Sequence, residues 1–101
     1  MADITVEELK MRLDKGEEMN IIDVRESWEY DEFNIGGKLI PLGELQGMVD
    51  ELADDKSKEL IVHCRSGSRS AAACSFLTGI GFTNARNLAG GVLAWQAAGG
   101  S

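Results

Sequence analysis

The sequence predicts an α/β domain in which a central parallel sheet is covered by helices on both faces. Two observations carry that prediction. Short apolar runs, Asn20–Asp23 and Glu59–Cys64, stop on charge or on a glycine-serine loop, as strands buried on both faces do. Segments with helical spacing and capping residues alternate with those runs, which is the order of a parallel sheet with crossover helices. At 101 residues the chain is long enough for one core and too short for two. The expected unit is therefore residues 1–101, with 97–101 as a frayed Ala/Gly tail.

The elements follow in order. In ITVEELKMRL, Thr5 with Glu8 three residues later forms a capping box, and Leu9 and Leu13 at i, i+4 supply an apolar stripe. Asp14, Lys15 and Gly16 end that helix. NIIDVRE reads as a buried strand ending at Asp23. SWEYDEF is a short helix with Ser27 as cap and Trp28 as an inward anchor. Gly36 and Gly37 mark a turn, and KLIPL offers a brief strand ended by Pro41. GELQGMVDELADD is amphipathic, with Leu45, Met48, Val49 and Leu52 on one face. ELIVHC is a second buried strand whose last residue is Cys64. After the loop 65–69 the chain turns helical through AAACSFLTGI, to be terminated by Gly79 and Gly81. Asn84 to Leu88 form a last short strand, and Gly90 and Gly91 open a helix carrying Val92, Leu93 and Trp95.

Composition narrows the function. Hydrophobic residues make up 44% and charged residues 27%, as in ordinary soluble globular proteins. The apolar runs are too short to span a bilayer and no signal peptide is read. The expectation is a soluble cytoplasmic protein with no membrane partner. A net charge of −7 argues against binding nucleic acid through the general surface. Two cysteines make no disulfide framework and have no zinc-like spacing, so no metal is expected. Ten residues along one helix would separate Cys64 from Cys74 by about 15 Å, beyond the roughly 7 Å between Cα atoms that a disulfide allows. Cys74 is then a small core residue, and Cys64 needs its own explanation.

That explanation lies in HCRSGSRS, residues 63–70. Ligands of parallel α/β sheets bind beyond the carboxyl ends of the strands, where loops enter helix N-termini. Arg65, Ser66, Gly67, Ser68 and Arg69 can turn successive N–H groups inward as an anion nest. The following helix start adds about 0.3–1 kcal/mol for an anion. A thiol in that field loses its proton below its usual pKa of about 8.5 and becomes a nucleophile. His63 alternates to the opposite face and reads as structural. Protein tyrosine phosphatases have a similar signature with five residues between Cys and Arg, whereas four separate Cys64 from Arg69. A shorter loop closes to a tighter ring, better suited to one sulfur than to a phosphoryl group.

With those motifs in view, the chain resembles a single-domain rhodanese, a thiosulfate sulfurtransferase-like protein, over essentially its whole length. IIDVRESWEYDEF resembles the family's strand-turn-helix segment, IPLGEL its central connection, CRSGSR its six-residue active-site loop and NLAGGVLAW its closing Gly-Gly–Trp helix. The resemblance implies a sheet of about five parallel strands and no cofactor. It further implies that Cys64 takes sulfane sulfur from a donor such as thiosulfate, forming a persulfide. An acceptor then removes the sulfur: cyanide, a small thiol or a protein thiol. The loop N–H groups would hold the persulfide, Arg65 or Arg69 would attract the donor, and Asp23 and Arg25 would brace the loop by ion pairs. Many family members carry Gly-His-Ile where this chain has Phe33-Asn34-Ile35, so no histidine role transfers to Asn34. Two other readings compete: a sulfur carrier or binding module without turnover, and a cysteine-dependent phosphatase or arsenate-type enzyme.

Overall fold

The computed structural model describes residues 3–52 and 55–99. Helix α1 (Val6–Asp14) begins where expected, with the Glu8 N–H donating to Thr5 Oγ1 at 3.1 Å. Strand β1 (Asn20–Asp23), helix α2 (Ser27–Glu32), strand β2 (Lys38–Leu39), a 3-10 segment (Leu42–Glu51), strand β3 (Leu60–His63), helix α3 (Ser68–Gly79), strand β4 (Ala85–Asn87) and helix α4 (Gly91–Ala97) follow. The sheet order is β2-β1-β3-β4, with every pairing parallel. On the outer edge of β4, Ile4 makes a single parallel bridge to Leu88. The Ile4 N–H donates to Asn87 O, and the Ala89 N–H donates to Ile4 O. This one rung occupies the place of a fifth strand. Thr5 already caps α1, so the chain leaves the sheet after a single pairing.

Side-chain alternation along the strands divides the core in two. Ile22, Leu60 and Val62 face the 3-10 segment and α3, meeting Leu45, Leu52, Ala73, Leu77 and Phe82. Ile21 and Ile61 face the other way, toward α1 and α4, meeting Val6, Leu9 and Leu88. Each buried Ile or Leu contributes about 1.5–3 kcal/mol, so both sheet faces must be covered for the strands to persist.

One stretch takes a form its pattern left open, and two local expectations are corrected. The amphipathic stretch beginning at Gly43 winds as a 3-10 helix. Its ends show i→i−3 bonds, Glu44 N–H to Pro41 O and Leu52 N–H to Val49 O. Gly43 and Gly47 lower its α-helical propensity, while Leu45 still reaches the core. Residues 53–54 of that stretch lie outside the described ones. Helix α2 is capped by Glu26 rather than Ser27, the Glu26 N–H donating to the Glu29 carboxylate at 3.0 Å. Trp28 is not an inward anchor: it is 63% exposed. Trp95 does pack against the α1/α4 side of the core, with Lys10 Nζ 4.9 Å from its ring centroid.

Candidate active site

Asp23 and His63 are register partners at the carboxyl ends of β1 and β3, so Cys64 emerges at the sheet edge beside Val24. The chain reverses through Arg65, Ser66 and Gly67 into α3. Gly67 caps that helix at φ +116°, a conformation that side chains on Cβ disfavour. The turn aims the Gly67 N–H at Cys64 Sγ from 3.1 Å and the Ser70 N–H from 3.4 Å. Ser70 Oγ also lies 3.4 Å from the sulfur. Burial alone pushes the Cys64 thiol up, but bonds from the Ser70 hydroxyl and N–H and from the Gly67 and Ser66 N–H groups outweigh it, holding the thiol below its ordinary value. Cys64 is only 1% exposed. A reactant must therefore enter the loop to touch it, which favours a small terminal atom.

Helix α4 backs the loop. Its first turn leaves N–H groups without intrahelical partners. Val92 N–H takes Cys64 O and Leu93 N–H takes Arg65 O, both at 3.0 Å. The Gly-Gly–Trp element thus fastens the carbonyl side of the loop while the amide side faces the sulfur.

The two loop arginines part company. Arg69 forms a two-pronged ion pair with Glu29 on α2, at 2.7 and 2.9 Å. Arg65 is exposed, and no carboxylate holds it among the described residues. Asp23 and Arg25, both buried, pair with each other, Nη2 to Oδ2 at 2.8 Å. The remaining Arg25 N–H groups reach the carbonyls of Glu29 and Phe33. Asp23 and Arg25 therefore brace α2, and through Glu29 they reach the loop at second hand.

The guanidinium of Arg69 holds the Glu29 carboxyl down from 4.5 to about 2, against the opposing effect of burial. A depressed carboxylate pKa contributes stability that is present above 4.5 and lost as pH falls toward 2. Arg69 is partly solvated, so the contribution is discounted to about 1–2 kcal/mol. Wild type is expected to melt above Glu29→Gln at pH 7, with the gap closing between pH 4.5 and pH 2. A gap that does not vary across that range would show that the ion pair is not its source.

His63 is fully buried with Nε2 3.7 Å from Asp23 Oδ2, and burial lowers its pKa and keeps it neutral. Cys74 is half-buried and its thiol is pushed up to about 11 by burial. Both cysteines are free thiols. Asn34 closes the turn after α2, accepting from the Gly36 N–H at 3.0 Å. Beside the loop runs a groove lined by Trp28, Phe33, Arg65, Leu93 and Gln96. A larger cavity lies around Cys74 between α3 and β4, and Cys64 does not line it.

Three residues at the site were not singled out by sequence reasoning: Glu29, Ser70 and Asn87. Ser70 is the last letter of the quoted loop stretch, and its place in the first turn of α3 was the available signal. Glu29 offered only its spacing of three from Glu26. Asn87 had none, since nothing in β4 says which side chain will face the loop. Among the described residues no group of His, Cys, Asp and Glu could hold a metal, and no helix is long and apolar enough to cross a membrane.

The profile of the family described as Rhodanese-like domain matches residues 5–98. A Bacillus subtilis protein named "Putative sulfur carrier protein YrkF" is 36% identical over 92% of this chain, which spans 50% of that relative. Another from the same organism, "Putative sulfurtransferase YtwF", is 37% identical over 93% of this chain and 89% of its own length. Among solved structures, a rhodanese-like domain protein from Staphylococcus aureus superposes with a TM-score of 0.84 at 30% identity, covering 94% of this chain and 91% of that one.

Proposed function

The chain belongs to the rhodanese-like domain family, and from that premise we propose that it is a sulfurtransferase working through a Cys64 persulfide. The observation that carries the proposal is the set of donors converging on one sulfur: Gly67 N–H, Ser70 N–H and Ser70 Oγ within 3.4 Å of Cys64 Sγ. The two Bacillus subtilis relatives, named for sulfur transfer and sulfur carriage, support it.

The chemistry requires few parts. The Cys64 thiolate attacks the sulfane sulfur of thiosulfate, the S–S bond of the donor breaks, and its electron pair leaves with sulfite. The product is a cysteine persulfide anion within the loop donors. Cyanide or a thiolate then attacks the outer sulfur and the Cys64 thiolate returns. Arg65 is the better placed cation to attract a dianionic donor, because Arg69 is occupied by Glu29. Asp23 and Arg25 act as supports of α2 rather than reactants. No cofactor enters either step.

Intact mass before and after thiosulfate treatment tests the reading. A gain of one sulfur atom is expected in wild type and in Cys74→Ser, and none in Cys64→Ser. No gain in wild type, with thiosulfate or with other persulfide donors, would sink it. Turnover of an aryl phosphate in its place would favour the phosphatase reading.

A second reading, delivery of the sulfur to a protein thiol, is favoured by the groove beside the loop. Trp28 is 63% and Leu93 43% exposed there. Exposed large aromatics of this kind commonly anchor protein contacts. Slow turnover with cyanide alongside efficient transfer to a protein thiol would support carriage.

A further inference from the structure

We propose that Asn87 sets the ionisation of Cys64 by competing with its sulfur for the single hydroxyl proton of Ser70. The inference rests on Cys64 being the nucleophile.

The orientation of the Asn87 amide comes first. Its Nδ2 donates to Gly67 O at 3.3 Å. Turning the amide over would set Oδ1 against that carbonyl, acceptor against acceptor. Held this way, Oδ1 lies 2.5 Å from Ser70 Oγ. Ser70 is fully buried and has one proton to donate. Three acceptors are within reach: Asn87 Oδ1, Gly67 O at 3.2 Å and Cys64 Sγ at 3.4 Å. Gly67 O already receives the Ala71 N–H and Asn87 Nδ2. The contest is between Asn87 and the sulfur.

The two protonation states of Cys64 decide it differently. A neutral thiol lets Ser70 donate to Asn87 while accepting the S–H proton. A thiolate needs the Ser70 proton turned toward sulfur, which breaks the Asn87 bond. Asn87 therefore limits how far the loop can lower the thiol. The limit has a use, because a thiolate of higher pKa is intrinsically the stronger nucleophile. The charged and titratable groups around the sulfur are Arg69 from α3 with Glu29 from α2, Arg65 in the loop and neutral His63 on β3. From β4 the uncharged Asn87 faces Ser70, and the α4 main-chain N–H groups bond the Cys64 and Arg65 carbonyls.

The test is the pH profile of Cys64 alkylation by iodoacetamide, in a Cys74→Ser background. Asn87→Ala is expected to lower the apparent pKa by about one unit, the size of a hydrogen bond to a charged group. Ser70→Ala is expected to raise it, and in that background Asn87→Ala should have no effect. Asn87→Leu also removes the acceptor but fills the space, is expected to lower the pKa in the same way, and carries the test if Asn87→Ala does not fold. An unchanged or raised pKa in either variant, or a shift that persists without Ser70, would overturn the proposal. Alkylation needs no sulfur donor, so a failure of loading with thiosulfate and with persulfide donors would remove the sulfurtransferase reading without deciding this one.

Discussion

Gly91→Ala is expected to slow persulfide formation by about a hundredfold, the effect of roughly 1 Å of misplacement at a reacting centre. Gly91 adopts φ +57°, where a non-glycine residue costs about 1–2 kcal/mol. A Cβ there would lie 2.5 Å from Cys64 O and 2.7 Å from Arg65 O. Both atoms are backbone, so no flexible side chain can yield and the loop itself must move. The Val92 and Leu93 N–H bonds that fasten those carbonyls would break with it. Stability should fall by about 2–4 kcal/mol in all. The rate is read from single-turnover loading with thiosulfate and the stability from thermal melting. Gly43→Ala is the control, since a Cβ there meets nothing within 4 Å. Gly91→Ala with wild-type loading and melting would remove the claim that α4 shapes the loop.

Asp23→Ala is expected to be the most destabilising change, at about 3–5 kcal/mol. It leaves the Arg25 guanidinium buried without its counter-charge. That is a large share of the 5–15 kcal/mol typical of a folded domain. The loss should reach the site as well, because Arg25 also holds the carbonyls of Glu29 and Phe33. A loosened α2 releases Glu29 from Arg69. Replacing both partners, Asp23→Leu with Arg25→Met, is expected to be less harmful to stability than Asp23→Ala alone. Denaturant unfolding of the three proteins checks the order. If the double variant is the least stable, burial of an unpaired charge is not the dominant cost.

Much of the fold was legible because local signals agreed with the final packing. Thr5 and Glu8 mark the start of α1, the apolar run before Cys64 marks β3, and Gly90 and Gly91 mark the start of α4. The apolar face of the 3-10 segment was legible but its helix type was not, because an apolar stripe at i, i+3, i+4 does not by itself distinguish two helices of similar pitch. Trp28 misled for a different reason. Hydrophobicity states what burial would yield, not whether a partner surface exists, and α2 turns this side chain out over the groove.

At the site, the cysteine and the loop that bends around it were readable from HCRSGSRS, although Ser70 was not singled out, because such a loop uses consecutive residues. Chain connectivity alone brings Gly67 and Ser70 back to Cys64. The partners that orient the cradle were not readable. Glu29 meets Arg69 across 40 positions, and Asn87 meets Ser70 across 17. Such pairings exist only once parallel strands have set α2, α3 and β4 side by side. The sequence by itself therefore determined which sulfur sits at the mouth of the loop and which neighbours chain connectivity brings to it. The tertiary structure decided which arginine is tied down and which residue shares the serine proton, because an ion pair or a hydrogen bond between distant residues depends on distance in space.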